Sequence, residues 1–204
     1  MKNKSNYNPK VHNRKSTRIQ GYDYSLPGLY LITISCQNKQ CLFGHIEKGK
    51  MILNNSGKMA NASWLAIPEH YPNTILHTFV IMPNHVHGII EIAKNGQNDV
   101  QGRDFGFETV GVQNFEPLPF QTRNLSVQKN EYQKTIPRSI GCMVRGFKIG
   151  VTKWFRQHTE IHKPCQRNYY DIIIRDEASY KSISRYIMAN PKKWKADQFY
   201  NEPG

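Results

Sequence analysis

"VIMPNHVHGII", residues 80–90, places two histidines one residue apart inside a strongly apolar run. Side chains alternate along a β-strand, so His85 and His87 point to the same face and can converge on one ion. The alternative is a pair of half-buried histidines that hydrogen-bond to the backbone or to water. The pair begins an apolar strand just after a Pro-Asn turn, and this position favours a metal site at the edge of a sheet.

Strands and helices are predicted in turn on both sides of the histidine pair. The predicted strands are 29–37, 73–83, 85–92 and 169–175. The predicted helices are a short one within 54–70 that ends at Pro68, and those at 138–156 and 176–190. This order favours an α+β fold in which helices pack on an antiparallel sheet. The sequence leaves open whether 73–83 and 85–92 form a tight hairpin or one kinked strand.

The length of 204 residues is typical of a single domain. We predict one domain over residues 1–204, with a basic N-terminal arm at about 1–20 and an insertion at about 93–136. The insertion lacks hydrophobic periodicity and is rich in Asn, Gln and Gly, which is typical of a long mobile connection.

The charge of the chain is strongly positive and unevenly placed. The formal net charge is +13; residues 1–20 contain six Lys or Arg, residues 138–158 contain five, and neither segment contains an acid. Such segments favour polyanionic partners, because each neutralised phosphate releases condensed counterions. Simple solubility and an anionic membrane surface are alternatives. Nucleic acid is favoured because no amphipathic basic helix is predicted at a terminus.

Composition also predicts the compartment. No apolar run reaches the ~18 residues of a membrane span, and the basic N-terminus has no apolar segment of a secretory signal. The four cysteines are scattered without a CxxC pair. Reduced thiols explain them better than a disulfide framework, so we expect a cytoplasmic protein without a membrane partner.

Two histidines do not hold an ion alone, so a further ligand has to come from elsewhere. Glu91 shares their face but lies ~13 Å from His87 along the strand, at ~3.3 Å per residue. Tyr186 and Asn190 lie four residues apart and therefore on one face of the last predicted helix. Alone, Tyr186 is typical of core packing and Asn190 of a helix end before Pro191. Only their combination with the histidine pair indicates a catalytic site.

These residues together resemble the REP-associated tyrosine transposases, which are single-tyrosine endonucleases with a histidine–hydrophobic–histidine (HUH) motif. The segments that carry the resemblance are "RKSTRIQGYDYSLPGLYLITISCQNK", "MPNHVHGII", "IGCMVRGFKIGVTKW" and "RNYYDIIIRDEASYKSISRYIMANPKKW". They cover roughly residues 14–92 and 137–195. The HUH motif alone is weak evidence, and the Tyr-x-x-x-Asn-Pro pattern about 100 residues downstream strengthens it.

The resemblance implies a ferredoxin-like antiparallel sheet with the HUH strand in its centre. It implies that His85, His87 and Asn190 bind a divalent cation, Mg²⁺ or Mn²⁺, and that Tyr186 is the catalytic nucleophile beside His85 and His87. Its phenolate attacks a DNA phosphodiester and leaves a 5′-phosphotyrosine and a free 3′-hydroxyl. The tyrosines that rival Tyr186 as nucleophile are Tyr169, Tyr170 and Tyr180, and none is followed by an Asn four residues later.

The implied substrate is single-stranded DNA with REP-like hairpins, bound by a monomer or a homodimer. The predicted DNA contacts are Arg14, Lys15 and Arg18 in the arm, and Arg145 and Lys148 in the basic helix. Each of these side chains is alternatively part of a solvated charged surface. Two further functions stay open: a catalytically silent DNA-binding relative, and a metal-dependent nuclease that activates water without a covalent step.

Overall fold

A computed structural model gives the fold and describes residues 19, 22–94 and 136–200. The predicted DNA contacts Arg14, Lys15 and Arg18 lie outside the described residues, as does most of the insertion predicted at 93–136. The described strands are β1 (Gly28–Ser35), β2 (Gly44–Glu47), β3 (Lys50–Leu53), β4 (Thr74–Ile81), β5 (His85–Ile92) and β6 (Tyr170–Ile174). The described α-helices are α1 (Asn55–Leu65), α2 (Ile67–His70), α3 (Ile140–His158) and α4 (Glu177–Ala189), and short 3-10 helices cover Gln37–Lys39 and Pro191–Ala196.

The main sheet has four antiparallel strands in the order β4-β5-β1-β6. With α1 between β1 and β4 and α3 between β5 and β6, this is the βαββαβ arrangement of a ferredoxin-like fold. The predicted α+β class is confirmed, and the histidine strand β5 is an interior strand. The histidine pair therefore lies at the end of a central strand, and the predicted central position of the HUH strand is confirmed.

The open question about β4 and β5 is resolved as a tight hairpin. Ile81 pairs with Val86, and the backbone N–H of Met82 donates to the carbonyl of His85 at 2.8 Å. Pro83 lies in the turn, where the missing N–H removes no ladder hydrogen bond. His85 is the first residue of β5, directly after the turn of this hairpin.

One face of the sheet packs against α1 and α3. The apolar stripe predicted along α3 is buried there at Ile140, Met143, Val144, Phe147, Val151 and Phe155. Trp64 of α1 packs over Gly88 of β5 so closely that a Cβ on Gly88 would lie 2.2 Å from Cζ2 of the indole. The absence of a side chain at Gly88 thus lets α1 pack directly on the histidine strand.

The opposite face of the sheet, which carries the histidines, packs against α4. Tyr180 and Ile187 of α4 join a buried cluster with Leu31, Ile89 and Ile174 of the sheet. A hydrogen-bonded chain adds to this packing, because His77 contacts the Tyr180 hydroxyl at 3.1 Å and Glu91 at 2.8 Å. The helix is thereby held over β4 and β5.

The structure differs from the sequence-based expectations at one helix and one hairpin. The predicted helix at 54–70 is two helices, because Pro68 lacks an N–H and is accommodated at the start of α2. The β2–β3 hairpin was not predicted. All four cysteines are free thiols, as expected. None of the described helices is long and apolar enough to span a membrane.

Candidate active site

His85 and His87 are buried side by side at the start of β5. Their side chains are 0% and 3% exposed, and their ring centroids lie 4.5 Å apart. The register pairs His85 with Ser35 and His87 with Thr33, so all four side chains lie on the face that α4 covers in part. The predicted convergence of the two imidazoles is therefore observed.

The tautomer of His85 is determined by its neighbour Asn84. The amide nitrogen of Asn84 donates to the carbonyls of Lys39 at 3.0 Å and Phe199 at 2.7 Å, which fixes the orientation of the amide. Its oxygen then faces Nδ1 of His85 at 2.8 Å. Because an amide oxygen only accepts, Nδ1 carries the proton and Nε2 carries the lone pair. This Nε2 has no hydrogen-bond partner among the described residues.

His87 is oriented in the same way by a side chain of β1. Its Nδ1 lies 2.8 Å from the hydroxyl of Thr33, and its Nε2 lies 3.5 Å from the phenolic oxygen of Tyr186. Outer hydrogen bonds of this kind orient histidines that bind metals. In both imidazoles Nδ1 therefore makes the hydrogen bond that orients the ring, and Nε2 remains on the side of the site.

Both imidazoles are held in the neutral form. Burial lowers the pKa of His85 to about 2, with a smaller effect from the adjacent His87. Burial also lowers the pKa of His87 to about 4, and the nearby carboxylate of Asp197 opposes this shift. Neutral imidazole is the form that binds a metal ion.

Tyr186 faces the histidines from α4 and remains accessible. It is 43% exposed, and its ring meets that of His87 edge-on at 5.4 Å between centroids. Burial raises the pKa of the phenol, the charge of Asp197 raises it further, and the amide of Asn190 acts in the opposite direction. Tyr186 therefore combines contact with a histidine and exposure to solvent.

Asn190 lies at the end of α4, and its side chain is buried. The residue is 2% exposed, and neither Oδ1 nor Nδ2 has a hydrogen bond of normal geometry among the described residues. A buried polar group without a partner costs about 1–3 kcal/mol, so such groups are rare outside functional sites. The buried side chain of Asn190 therefore lies beside the phenol of Tyr186, and its Oδ1 has no partner among the described residues.

Asp197 is a site residue that the sequence analysis missed. Its carboxylate and ring nitrogens of His85 and His87 all lie within 4.8 Å of one another. The residue follows the 3-10 helix Pro191–Ala196, which turns the chain back toward the sheet. No motif connects a lone aspartate in this position with the histidine pair, so the sequence held no signal for it.

Aromatic residues on both sides of Asp197 cover the histidines. The ring of Phe199 lies 4.5 Å from that of His85 and 5.8 Å from that of His87, between centroids. The ring of Trp194 lies 6.0 Å from that of His85. These aromatic contacts explain why two imidazoles at a strand end are almost fully buried.

The donor set fits a divalent cation. Two neutral imidazoles, a carboxylate and an amide oxygen are ligand types that Mn²⁺ and similar ions accept. The unpartnered Nε2 of His85 and the unpartnered Oδ1 of Asn190 are the observations that support this fit.

The predicted DNA contacts of α3 line a basic groove. The groove has a volume of about 670 Å³, and its charged residues are Arg145, Lys148, Lys153, Arg156 and Arg167, with no acid among the described lining residues. Arg145 is exposed, whereas the ammonium of Lys148 donates to the carbonyls of Gln166, Arg167 and Asn168 at 2.9–3.2 Å. Lys148 therefore holds this loop against α3.

Comparison with known sequences gives a relative of nearly the same length. The chain matches no protein-family model. An uncharacterized protein of Haemophilus influenzae is 44% identical over 194 residues, which cover 95% of this chain and 97% of that protein. This chain belongs to the same family. A role proposed for a residue of this chain therefore extends to the Haemophilus influenzae protein wherever that protein has the same residue.

Comparison with solved structures concerns the fold of the family. A REP-associated tyrosine transposase bound to a REP hairpin aligns with 87% of this chain and 74% of its own, with a TM-score of 0.51 and 14% identity. A proposed transposase from Deinococcus radiodurans aligns with 84% of this chain and 95% of its own, with a TM-score of 0.40 and 12% identity. The first likeness shows that the fold is shared with a transposase.

Proposed function

We propose that the protein cleaves and rejoins single-stranded DNA through a covalent intermediate on Tyr186. The observation that carries this proposal is the contact between the accessible phenol and the buried histidine pair. The phenolic oxygen lies 3.5 Å from Nε2 of His87. A nucleophile beside a group of potential metal ligands is suited to metal-assisted phosphoryl transfer with a covalent intermediate.

The proposed substrate is single-stranded DNA with a REP-like hairpin. The net charge of +13 and the basic groove along α3 support a polyanionic partner. The shared fold with a transposase bound to a REP hairpin supports a hairpin substrate. Of the two DNA contacts predicted in α3, Arg145 has an exposed side chain. The contacts predicted in the arm, Arg14, Lys15 and Arg18, stay predictions.

The proposed cofactor is Mg²⁺ or Mn²⁺. His85 and His87 would hold it through Nε2, with Asn190 and Asp197 as the oxygen ligands. A bound divalent cation supplies positive charge to the phosphate oxygens as charge develops on them. Imidazole ligands favour Mn²⁺ over Mg²⁺ within this pair.

The chain's own residues carry out the covalent step. The phenolic oxygen of Tyr186 forms a bond to phosphorus as the bond from phosphorus to the 3′ oxygen breaks. The phenol loses its proton to solvent and the departing 3′ oxygen gains one, so the reaction consumes no net proton. The raised pKa of Tyr186 means that the free enzyme holds the neutral phenol. The 5′-phosphotyrosine preserves a reactive ester, so a 3′-hydroxyl can reverse the step and join strands.

The test is a denaturing gel of protein with end-labelled single-stranded DNA from a panel of hairpin sequences. Wild type, His85→Ala and Tyr186→Phe run side by side in Mn²⁺ and in EDTA, with Tyr22→Phe as the tyrosine control, because the Tyr22 hydroxyl contacts Tyr30 and not the site. We expect a metal-dependent protein–DNA adduct in wild type and Tyr22→Phe, and no adduct in the other two variants.

Two results would contradict the proposal. Cleavage that survives in Tyr186→Phe would indicate a nuclease that activates water. A native-gel shift without cleavage across the whole panel would indicate a silent DNA-binding relative.

A further inference from the structure

A row of four paired residues crosses the sheet at the level of the site. Val80 pairs with His87, His87 with Thr33, and Thr33 with Tyr170. Directly paired residues project from the same face, so Tyr170 lies on the histidine face. Two strand spacings separate it from His87, which corresponds to about 10 Å between their Cα atoms.

Tyr170 is an exposed aromatic residue on this face. It is 60% exposed, and Ile172, two residues further along β6 on the same face, is 50% exposed. The cause is the placement of α4, which lies mainly over β4 and β5 and leaves the β6 side of the face open. An exposed tyrosine beside an exposed isoleucine is an apolar platform next to the site.

We propose that Tyr170, supported by Ile172, is a stacking platform for an unpaired base of single-stranded DNA that flanks the cleaved phosphate. The inference rests on the proposed function, because it takes the substrate to be single-stranded DNA. Aromatic side chains bind unpaired bases by stacking, and stacking tolerates different bases because each has a π-face. Sheets of similar topology in RNA-binding domains expose aromatic residues for this purpose.

Charge favours a nucleic acid over an apolar protein partner on this platform. Arg167 precedes β6, Arg175 follows it, and both are exposed. The carboxylate of Asp171 belongs to the opposite, buried face. Among the described residues, the row from Val80 to Tyr170 contains no acid. The two arginines lie beyond opposite ends of β6, Arg167 at the α3 groove and Arg175 directly before the exposed acids Asp176 and Glu177, so they are available to phosphates of a DNA strand that follows β6 past the platform.

The test measures stacking without cleavage. Single-stranded oligonucleotides carry 2-aminopurine at one position at a time beside the hairpin, and the protein carries Tyr186→Phe so that the DNA stays intact. We expect fluorescence quenching at one or two adjacent positions. Tyr170→Ala in this background removes the quenching and raises Kd roughly tenfold, whereas Tyr170→Phe retains both. Leu65→Ala, an exposed apolar residue at the end of α1, is the control without effect.

The outcomes separate this inference from the proposed function. Quenching and affinity that are unchanged in Tyr170→Ala would overturn the platform. Loss of the covalent adduct in Tyr170→Phe would also overturn it, because the hydroxyl and not the ring would then be required. Quenching that depends on the Tyr170 ring while the wild type forms no adduct would support the platform and contradict the cleavage proposal. Thermal unfolding of each variant confirms that it is folded.

Discussion

The phenolic oxygen of Tyr186 and Nε2 of His87 lie 3.5 Å apart although the residues are separated by 99 positions in the chain. The contact joins an exposed residue of α4 to a buried residue of an interior strand. The two residues are positioned independently. Thr33 hydrogen-bonds to His87, and α4, which carries Tyr186, packs on the sheet through Tyr180 and Ile187. This arrangement allows the two halves of the site to be tested separately.

The amide of Asn84 should control metal affinity without binding the metal. Asn84→Ala removes the acceptor that holds the proton on Nδ1 of His85. We expect affinity for Mn²⁺ to fall about 10- to 100-fold, as measured by calorimetry on the apo protein. Asn168→Ala, an exposed asparagine, is the control. Equal affinity in Asn84→Ala and wild type would show that His85 needs no such orientation.

The carboxylate of Asp197 should contribute to the same metal site. We expect Asp197→Asn to weaken Mn²⁺ binding at least about tenfold, because a charged oxygen ligand becomes neutral. Asn190→Ala should weaken it as well, since it removes an otherwise unpartnered oxygen. Glu160→Gln, at an exposed position, controls for the change in net charge. Affinity lost only in Asn190→Ala would exclude Asp197 as a ligand.

The groove along α3 should bind phosphates through exposed arginines. We expect Arg145→Ala to lower affinity for hairpin DNA at low salt and to reduce the slope of log K against log [salt] by about one. Filter binding over a series of salt concentrations measures both. Lys58→Ala on α1 removes one exposed charge elsewhere, and an equal change in slope for that variant would indicate a nonspecific effect.

Close packing at Gly88 should make this position intolerant of a side chain. Gly88→Ala places a Cβ 2.2 Å from Trp64 and 2.9 Å from Cβ of Phe79, so we expect a loss of about 1–3 kcal/mol in the free energy of unfolding. In Gly146→Ala on α3 the nearest atom would be the Tyr71 hydroxyl at 3.7 Å. That control should gain up to about 1 kcal/mol. Urea denaturation distinguishes the two, and a neutral Gly88→Ala would mean that Trp64 readjusts.

The N-cap of α4 should make stability depend on pH. Asp176 accepts hydrogen bonds from the backbone N–H and the hydroxyl of Ser179, and these lower the pKa of its carboxyl group. Its contribution to stability is therefore full above the unfolded pKa and is lost as pH falls through the lowered pKa. Asp176→Asn keeps a cap that does not titrate. The stability difference between the two proteins should change in this acidic range, and a constant difference would contradict the assignment.

The sequence predicted the fold better than the full site. The apolar runs of β4 and β5 and the apolar stripe of α3 are local patterns, and these three elements form close to the expected positions. The β2–β3 hairpin was missed because its strands have four residues each and little burial. His85, His87, Tyr186 and Asn190 were predicted from motifs with fixed spacing, and the structure places Tyr186 in contact with His87. Asp197 comes close to the histidines through a reversal of the chain, and Tyr170 shares their sheet face through strand register; local sequence encodes neither relationship.

The hydrogen bonds of Asn84 also determine when, during synthesis of the chain, the environment of His85 becomes complete. Its amide nitrogen donates hydrogen bonds to the carbonyls of Lys39 and Phe199, which lie 45 residues before it and 115 residues after it. A ribosome that has completed β5 has produced both histidines, yet the network that sets the proton on His85 still lacks its distal acceptor. Asp197 and Tyr186 are added in the same late interval. A nascent chain therefore carries both histidines well before the other residues of the proposed site, which is complete only when the segment around Phe199 has been made.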